Sequence, residues 1–198
     1  MLEKGVLQDA HCNLRETAET IFQTRSKDGV KEMKTKTLAT LALFSVISLV
    51  IFTAESMIGP IVPIPGVKLG LANIITLIVI TLYGPKEALA VLLVRIILGS
   101  ILGGQMVSFF YSVFGGMLCL AVMSLTSWLF NRHFLVLTSM CGAAAHNIGQ
   151  IAAAILITQS LGVIAYLPVL IVSGIITGCF TGFAAKFSVQ YLRKLKLF

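Results

Sequence analysis

The chain has 198 residues, of which 57% are hydrophobic and only 12% charged, about half the charged share of an ordinary soluble domain. That deficit, with apolar runs close to bilayer-spanning length, excludes a soluble globular domain and indicates an integral membrane protein. The formal charge of +7 is not a nucleic-acid footprint, because six of the eight acidic residues lie at or before Glu32 and the basic ones gather at the two ends and in short loops.

Residues 1–37 are polar and mixed in charge. Leu14, Ala18, Ile21 and Phe22 fit one side of a short amphipathic helix, or the stretch is a disordered cytoplasmic tail. Met33 opens MKTKTLATLALF, which reads as a natural start for a membrane protein, so 1–32 is expected to be a dispensable extension or an artefact of start-site choice. The membrane domain is expected over 38–187 and a basic cytoplasmic tail over 188–198.

Six apolar segments follow: 38–54, 69–83, 86–103, 107–130, 135–158 and 163–187. The first lacks a good small-x-small cleavage site and reads as an uncleaved span. Gly84-Pro85, Asn131-Arg132-His133 and Gln159-Ser160-Leu161-Gly162 punctuate the later ones. The sequence therefore predicts an all-α bundle of six transmembrane helices. Lys31, Lys34, Lys36, Lys86, Arg132, Lys186, Arg193, Lys194 and Lys196 fall on one side and Lys68 alone on the other, which places both termini in the cytoplasm.

Between the first two segments lies GPIVPIPGVKLGLANIIT, apolar yet unable to form one helix. Pro60, Pro63 and Pro65 lack a backbone N–H and push their predecessors toward extended backbone, and Gly66 frees the chain to turn. Such a segment has to be buried in protein or line a cavity. It is expected to form the wall or gating loop of a binding site, on the outer side.

Small residues recur at four-residue spacing: Gly174, Gly178 and Gly182 in the sixth segment, Cys141, Ala145, Gly149 and Ala153 in the fifth, Gly99 and Gly103 in the third. They read as close helix packing. Cys12, Cys119, Cys141 and Cys179 form no C-x-x-C, so neither a metal site nor a disulfide framework is expected.

Polar groups inside the apolar segments are the candidate site. Arg95 lies midway along the third segment, where an arginine costs at least ~2.5 kcal/mol on insertion scales. His146 lies midway along the fifth, with Gln150 on the same helical face and Asn147 one step round. Asn73 lies just past the proline segment, flanked by Lys68. Interhelical polar contacts in membranes contribute only about 0.6 kcal/mol each, so stability alone poorly explains so many. Arg95 and Lys68 would neutralise an anionic group, and Asn73, His146, Asn147 and Gln150 would hydrogen-bond a small-molecule ligand. Glu55 sits at the outer end of its span and Arg95 near mid-depth, so a free Arg95 in a positively charged cavity is expected over a Glu55–Arg95 pair.

No G-x-x-x-x-G-K-[ST], D-D-x-x-D, H-E-x-x-H or G-x-S-x-G occurs. The chain is expected to be no enzyme by itself and to use no cofactor or metal.

The runs PIPGVKLGLANIITL, YGPKEALAVLLVRIILGSILGG, YSVFGGMLCLAVM and AAAHNIGQIAAA resemble the bacterial membrane family called Gx transporter or heptaprenyl diphosphate synthase component I, over about 38–187. That family in turn is similar to the substrate-binding subunits of energy-coupling-factor transporters, six-helix bundles in which the loop after the first helix gates the pocket. The resemblance implies a transporter or substrate-binding subunit in the bacterial cytoplasmic membrane, taking a small anionic ligand and partnered by an energy-coupling membrane protein with ATPases. The docking pattern A-x-x-x-A is not present, since Ala39 and Ala42 are three apart. The synthase name implies the alternative: a non-catalytic membrane subunit of a soluble polyprenyl synthase in menaquinone side-chain synthesis.

Overall fold

The computed structural model describes residues 35–57, 70–103, 106–130 and 134–194. The proline segment with Pro60, Pro63, Pro65 and Gly66, together with Lys68, lies outside them, as do the two short connections at 104–105 and 131–133. The chain divides into two units, Met1–Thr40 and Leu41–Phe198. Of the first only 35–40 is described, and it is helical. The second holds the bundle.

The described residues form helices: α1 (Thr35–Met57), α2 (Asn73–Leu82), α3 (Pro85–Gly103), α4 (Met106–Leu129), α5 (Leu135–Thr158) and α6 (Leu167–Lys194), with a 3₁₀ turn over Leu161–Tyr166. Local chemistry sets their ends. Gly84 stands at φ +126°, a conformation glycine adopts without penalty, and Pro85 opens α3, where its missing N–H costs nothing. Gln159 ends α5 in the left-handed region, its N–H bonded to the Ile155 carbonyl. The Ser160 hydroxyl then accepts the Gly162 N–H and starts the 3₁₀ turn. Arg193 and Lys194 sit in the last turn of α6, where positive charge complements the helix dipole.

The helices match the apolar segments with two differences. The segment at 69–83 is helical only from Asn73, because Gly70 (φ +81°) leads a tight turn in which Asn73, Ile74 and Ile75 donate to the carbonyls three residues back. The last segment begins as the 3₁₀ turn, and α6 runs on past Phe187 to Lys194.

Small residues set how closely the helices approach. A Cβ on Gly149 would stand 2.6 Å from the Phe114 carbonyl oxygen and 2.8 Å from Gly115 Cα, which locks α5 against α4. On Gly178 it would stand 2.8 Å from Met140 Cα, and on Gly182 2.7 Å from Val136 Cα. The glycine stripe of α6 therefore lies against the backbone of α5. The Ser139 and Thr181 hydroxyls bond across the same seam.

The core centres on α2, whose Leu77, Ile78, Val79 and Ile80 pack with Phe44 of α1, Val91, Leu92 and Ile96 of α3, and Leu120 and Met123 of α4. The surface of the bundle is apolar. Phe110, Phe114 and Met117 on α4 and Val172, Ile176, Phe180 and Phe187 on α6 are exposed, while Glu55, Asn73, Arg95, His146 and Gln150 are buried. This inverted distribution suits lipid outside and polar groups enclosed. Four helical stretches have the length and composition to cross a membrane: Thr35–Met57, Met106–Leu129, Leu135–Thr158 and Leu161–Lys194. The ten residues of α2 extend about 15 Å, half of a ~30 Å hydrocarbon core. The nineteen of α3 include Lys86, Glu87 and Arg95. Among the described residues six α-helices are therefore present, and four helical stretches qualify as spans by themselves.

Candidate functional site: a charged cavity at the start of the second helix

Ala72, at the N-cap of α2, has no side chain to cap with. The two amides just ahead of it are taken instead by α1. Gly70 N–H donates to Glu55 Oε1 at 2.6 Å and Leu71 N–H to Oε2 at 3.1 Å. A carboxylate at a helix N-terminus also meets the positive end of the helix dipole.

Asn73, the first residue of α2, directs its Oδ1 toward α3, where Arg95 Nη1 and Nη2 donate to it at 3.4 and 3.3 Å. The Phe52 ring of α1 lies 5.9 Å from Arg95 Cζ, within reach of a cation–π attraction. Gly99 makes this possible: one turn beyond Arg95, a Cβ there would come within 2.5 Å of Phe52 Cε1.

His146 comes from α5 and lies between two glycines. A Cβ on Gly70 would be 3.0 Å from its Cδ2, and one on Gly115 of α4 would be 2.9 Å from its Cε1 and Nδ1. The same Gly115 position faces Gln150 Cγ at 3.0 Å. One residue from His146, Asn147 turns away: its Nδ2 donates to the Leu170 carbonyl of α6, which also accepts from Ser173 Oγ.

A small cavity opens among these groups, lined by Phe52 and Glu55 of α1, Gly70, Ala72 and Asn73, Arg95, Ser112 of α4, and His146 and Gln150. Asn73, Arg95, His146 and Gln150, named from the sequence, thus share one wall system. Asn147 is not part of it, and Lys68 lies outside the described residues. Phe52, Glu55 and Ser112 were not named as site residues. Of these only Glu55 carried a signal, as a lone carboxylate ending an apolar run. The expectation that Glu55 stands too far out to share Arg95's surroundings is corrected: both line the cavity. The reason is that the turn at Gly70 and the late start of α2 bring the top of α1 level with Asn73. Among the described residues the cavity holds one cation and one anion rather than a cation alone.

Helices that turn apolar side chains outward and enclose a charged cavity define an α-helical membrane protein. Residues 44–188 match the family model for heptaprenyl diphosphate synthase component I, and the chain belongs to that family. No curated protein and no solved structure matches it.

Proposed function

We propose that this chain is a non-catalytic membrane subunit that works beside a soluble polyprenyl diphosphate synthase. The observation that carries the reading is the family match, which runs from within α1 into α6. Prenyl transfer needs paired acidic residues to hold magnesium and a diphosphate, and the only aspartates here, Asp9 and Asp28, precede the first helix. Chemistry therefore belongs to the partner, and this subunit supplies a membrane seat and a small polar cavity. In this reading α2 and α3 complete six crossings as a pair, and both termini are cytoplasmic by the disposition of Lys36, Lys86, Lys186, Arg193 and Lys194. Affinity purification of the tagged chain from its native membranes tests it. A soluble polyprenyl synthase should co-purify, and its product yield or chain length should change when the purified chain is added in liposomes. Absence of any synthase would overturn the proposal.

The cavity itself favours a second reading, a substrate-binding transporter subunit with a separate energy-coupling protein and ATPases. Arg95, Asn73, His146 and Gln150 converge as ligand-binding groups do, and an ionisable residue inside a membrane protein is a functional-site candidate by default. Uptake of a small anion that depends on this chain, with no synthase bound, would select it.

A further inference from the structure

Arg95 is 2% exposed, and its Nε has no acceptor among the described residues. Its two terminal nitrogens share one neutral oxygen, Asn73 Oδ1, at distances beyond the usual 2.7–3.2 Å. Asn73 is 4% exposed, and its Nδ2 also has no acceptor among them. Both side chains line the cavity. Glu55, in the same wall, has each oxygen engaged by a backbone amide. The cavity therefore has donors in surplus around a buried cation. A guanidinium in that state is matched best by an oxyanion, whose charge-assisted hydrogen bonds are about twice as strong as neutral ones, and burying the cation without one is costly.

We infer that the cavity takes a single oxyanion head, a carboxylate or a phosphate, on Arg95 and Asn73, with the Glu55 carboxylate opposing it by like charge. This deepens the reading above by naming what the site holds, and rests on it for the membrane setting alone. The cavity is far smaller than the ~300 Å³ at which pockets for whole small molecules begin, so no more than a head group enters. Ser112, His146 and Gln150 line the remaining wall with hydrogen-bonding groups. The head can belong to a free ion or to an amphiphile whose tail stays outside the cavity, and the contacts on Arg95 and Asn73 are the same.

The test uses the full chain purified in uncharged dodecyl maltoside, with inorganic phosphate and dodecyl phosphate as probes in titration calorimetry. It needs no synthase, so its outcome is independent of co-purification. Saturable one-to-one binding of either probe is expected; binding of phosphate identifies a free ion, and binding of dodecyl phosphate alone identifies an amphiphile. Arg95→Lys should weaken binding at least about tenfold, the loss of a charge-assisted hydrogen bond. Glu55→Gln keeps an acceptor for the Gly70 amide but removes the opposing charge, and should tighten binding severalfold, which a merely structural Glu55 would not do. Binding of neither probe, or unchanged or weaker binding in Glu55→Gln, overturns the inference, and neither depends on a variant that loses the Arg95 charge being able to fold.

Discussion

Glu55 Oε1 accepts the Gly70 N–H at 2.6 Å, which ties the last turns of α1 to the residue from which α2 starts. With Leu71 bonded to the other oxygen, one side chain satisfies two consecutive amides just ahead of α2. Few single residues in the bundle hold so much backbone in place.

Glu55→Ala should therefore destabilise the protein. Each amide left dry costs about 1–3 kcal/mol, and the helix dipole loses its carboxylate. Thermal unfolding in detergent should show a clear fall in the midpoint, with Glu55→Gln falling between the two. An Ala variant as stable as the parent would mean that water or another group replaces the carboxylate at no cost.

Two glycines on facing helices separate site from scaffold. Gly115→Ala would press its Cβ onto the His146 ring and Gln150 Cγ, side chains that can turn aside. It should lower ligand binding, or the response of a partner synthase, with little loss of stability. Gly149→Ala meets the Phe114 carbonyl and Gly115 Cα, which cannot turn, so it should destabilise the α4–α5 pair by about 1–3 kcal/mol, the usual cost of overpacking. The two variants, compared by unfolding midpoint and by binding, should rank in opposite order; the same rank in both measurements would refute the distinction.

Gly178→Leu should be more damaging still. Its Cβ alone would lie 2.8 Å from Met140 Cα and 3.0 Å from Ala143 Cβ, so α5 and α6 would have to part. Membrane helices associate through such close approach rather than through hydrophobic drive. Low yield or a non-native size-exclusion profile is expected, and a normal profile with unchanged midpoint would count against a packed α5–α6 seam.

The membrane class was legible in composition, and α5 was legible to the residue because polar clusters close it at both ends. Arg95, His146, Gln150 and Asn73 were legible as polar groups in apolar runs whose spacing aligned their faces. Asn147 was not. Spacing gives its angle on α5, one step from His146, but not that the Leu170 carbonyl stands there to receive it. Glu55 was misjudged because depth was counted along straight spans, whereas Gly70 at φ +81° turns the chain back toward α1. The helix expected over 69–83 is shortened for the same reason: the run of apolar letters hides a non-helical turn that leaves α2 only ten residues.

Orientation gives a test of the membrane setting. The 28 residues of α6 rise about 42 Å, more than a ~30 Å hydrocarbon core, so its flanks should emerge on opposite faces. Single cysteines at Ser160 and Lys194 should react with an impermeant thiol reagent from opposite sides of sealed vesicles, Lys194 from the cytoplasmic one. Labelling of both from one side would exclude α6 as a span.

The burial of α2 has a consequence for how the molecule is made. Besides α1, which precedes it, its neighbours are α3, α4, α5 and α6, all four of them chain that leaves the ribosome later. At ordinary synthesis speeds the interval before α6 arrives is on the order of ten seconds. Until then Asn73, Thr76 and Thr81, nearly dry in the finished protein, have at most α1 beside them. A ten-residue segment with such groups is a poor solitary guest in lipid. The newborn chain needs either an insertase that shelters α2 or a late step in which α2 and α3 slide together into an already assembled ring.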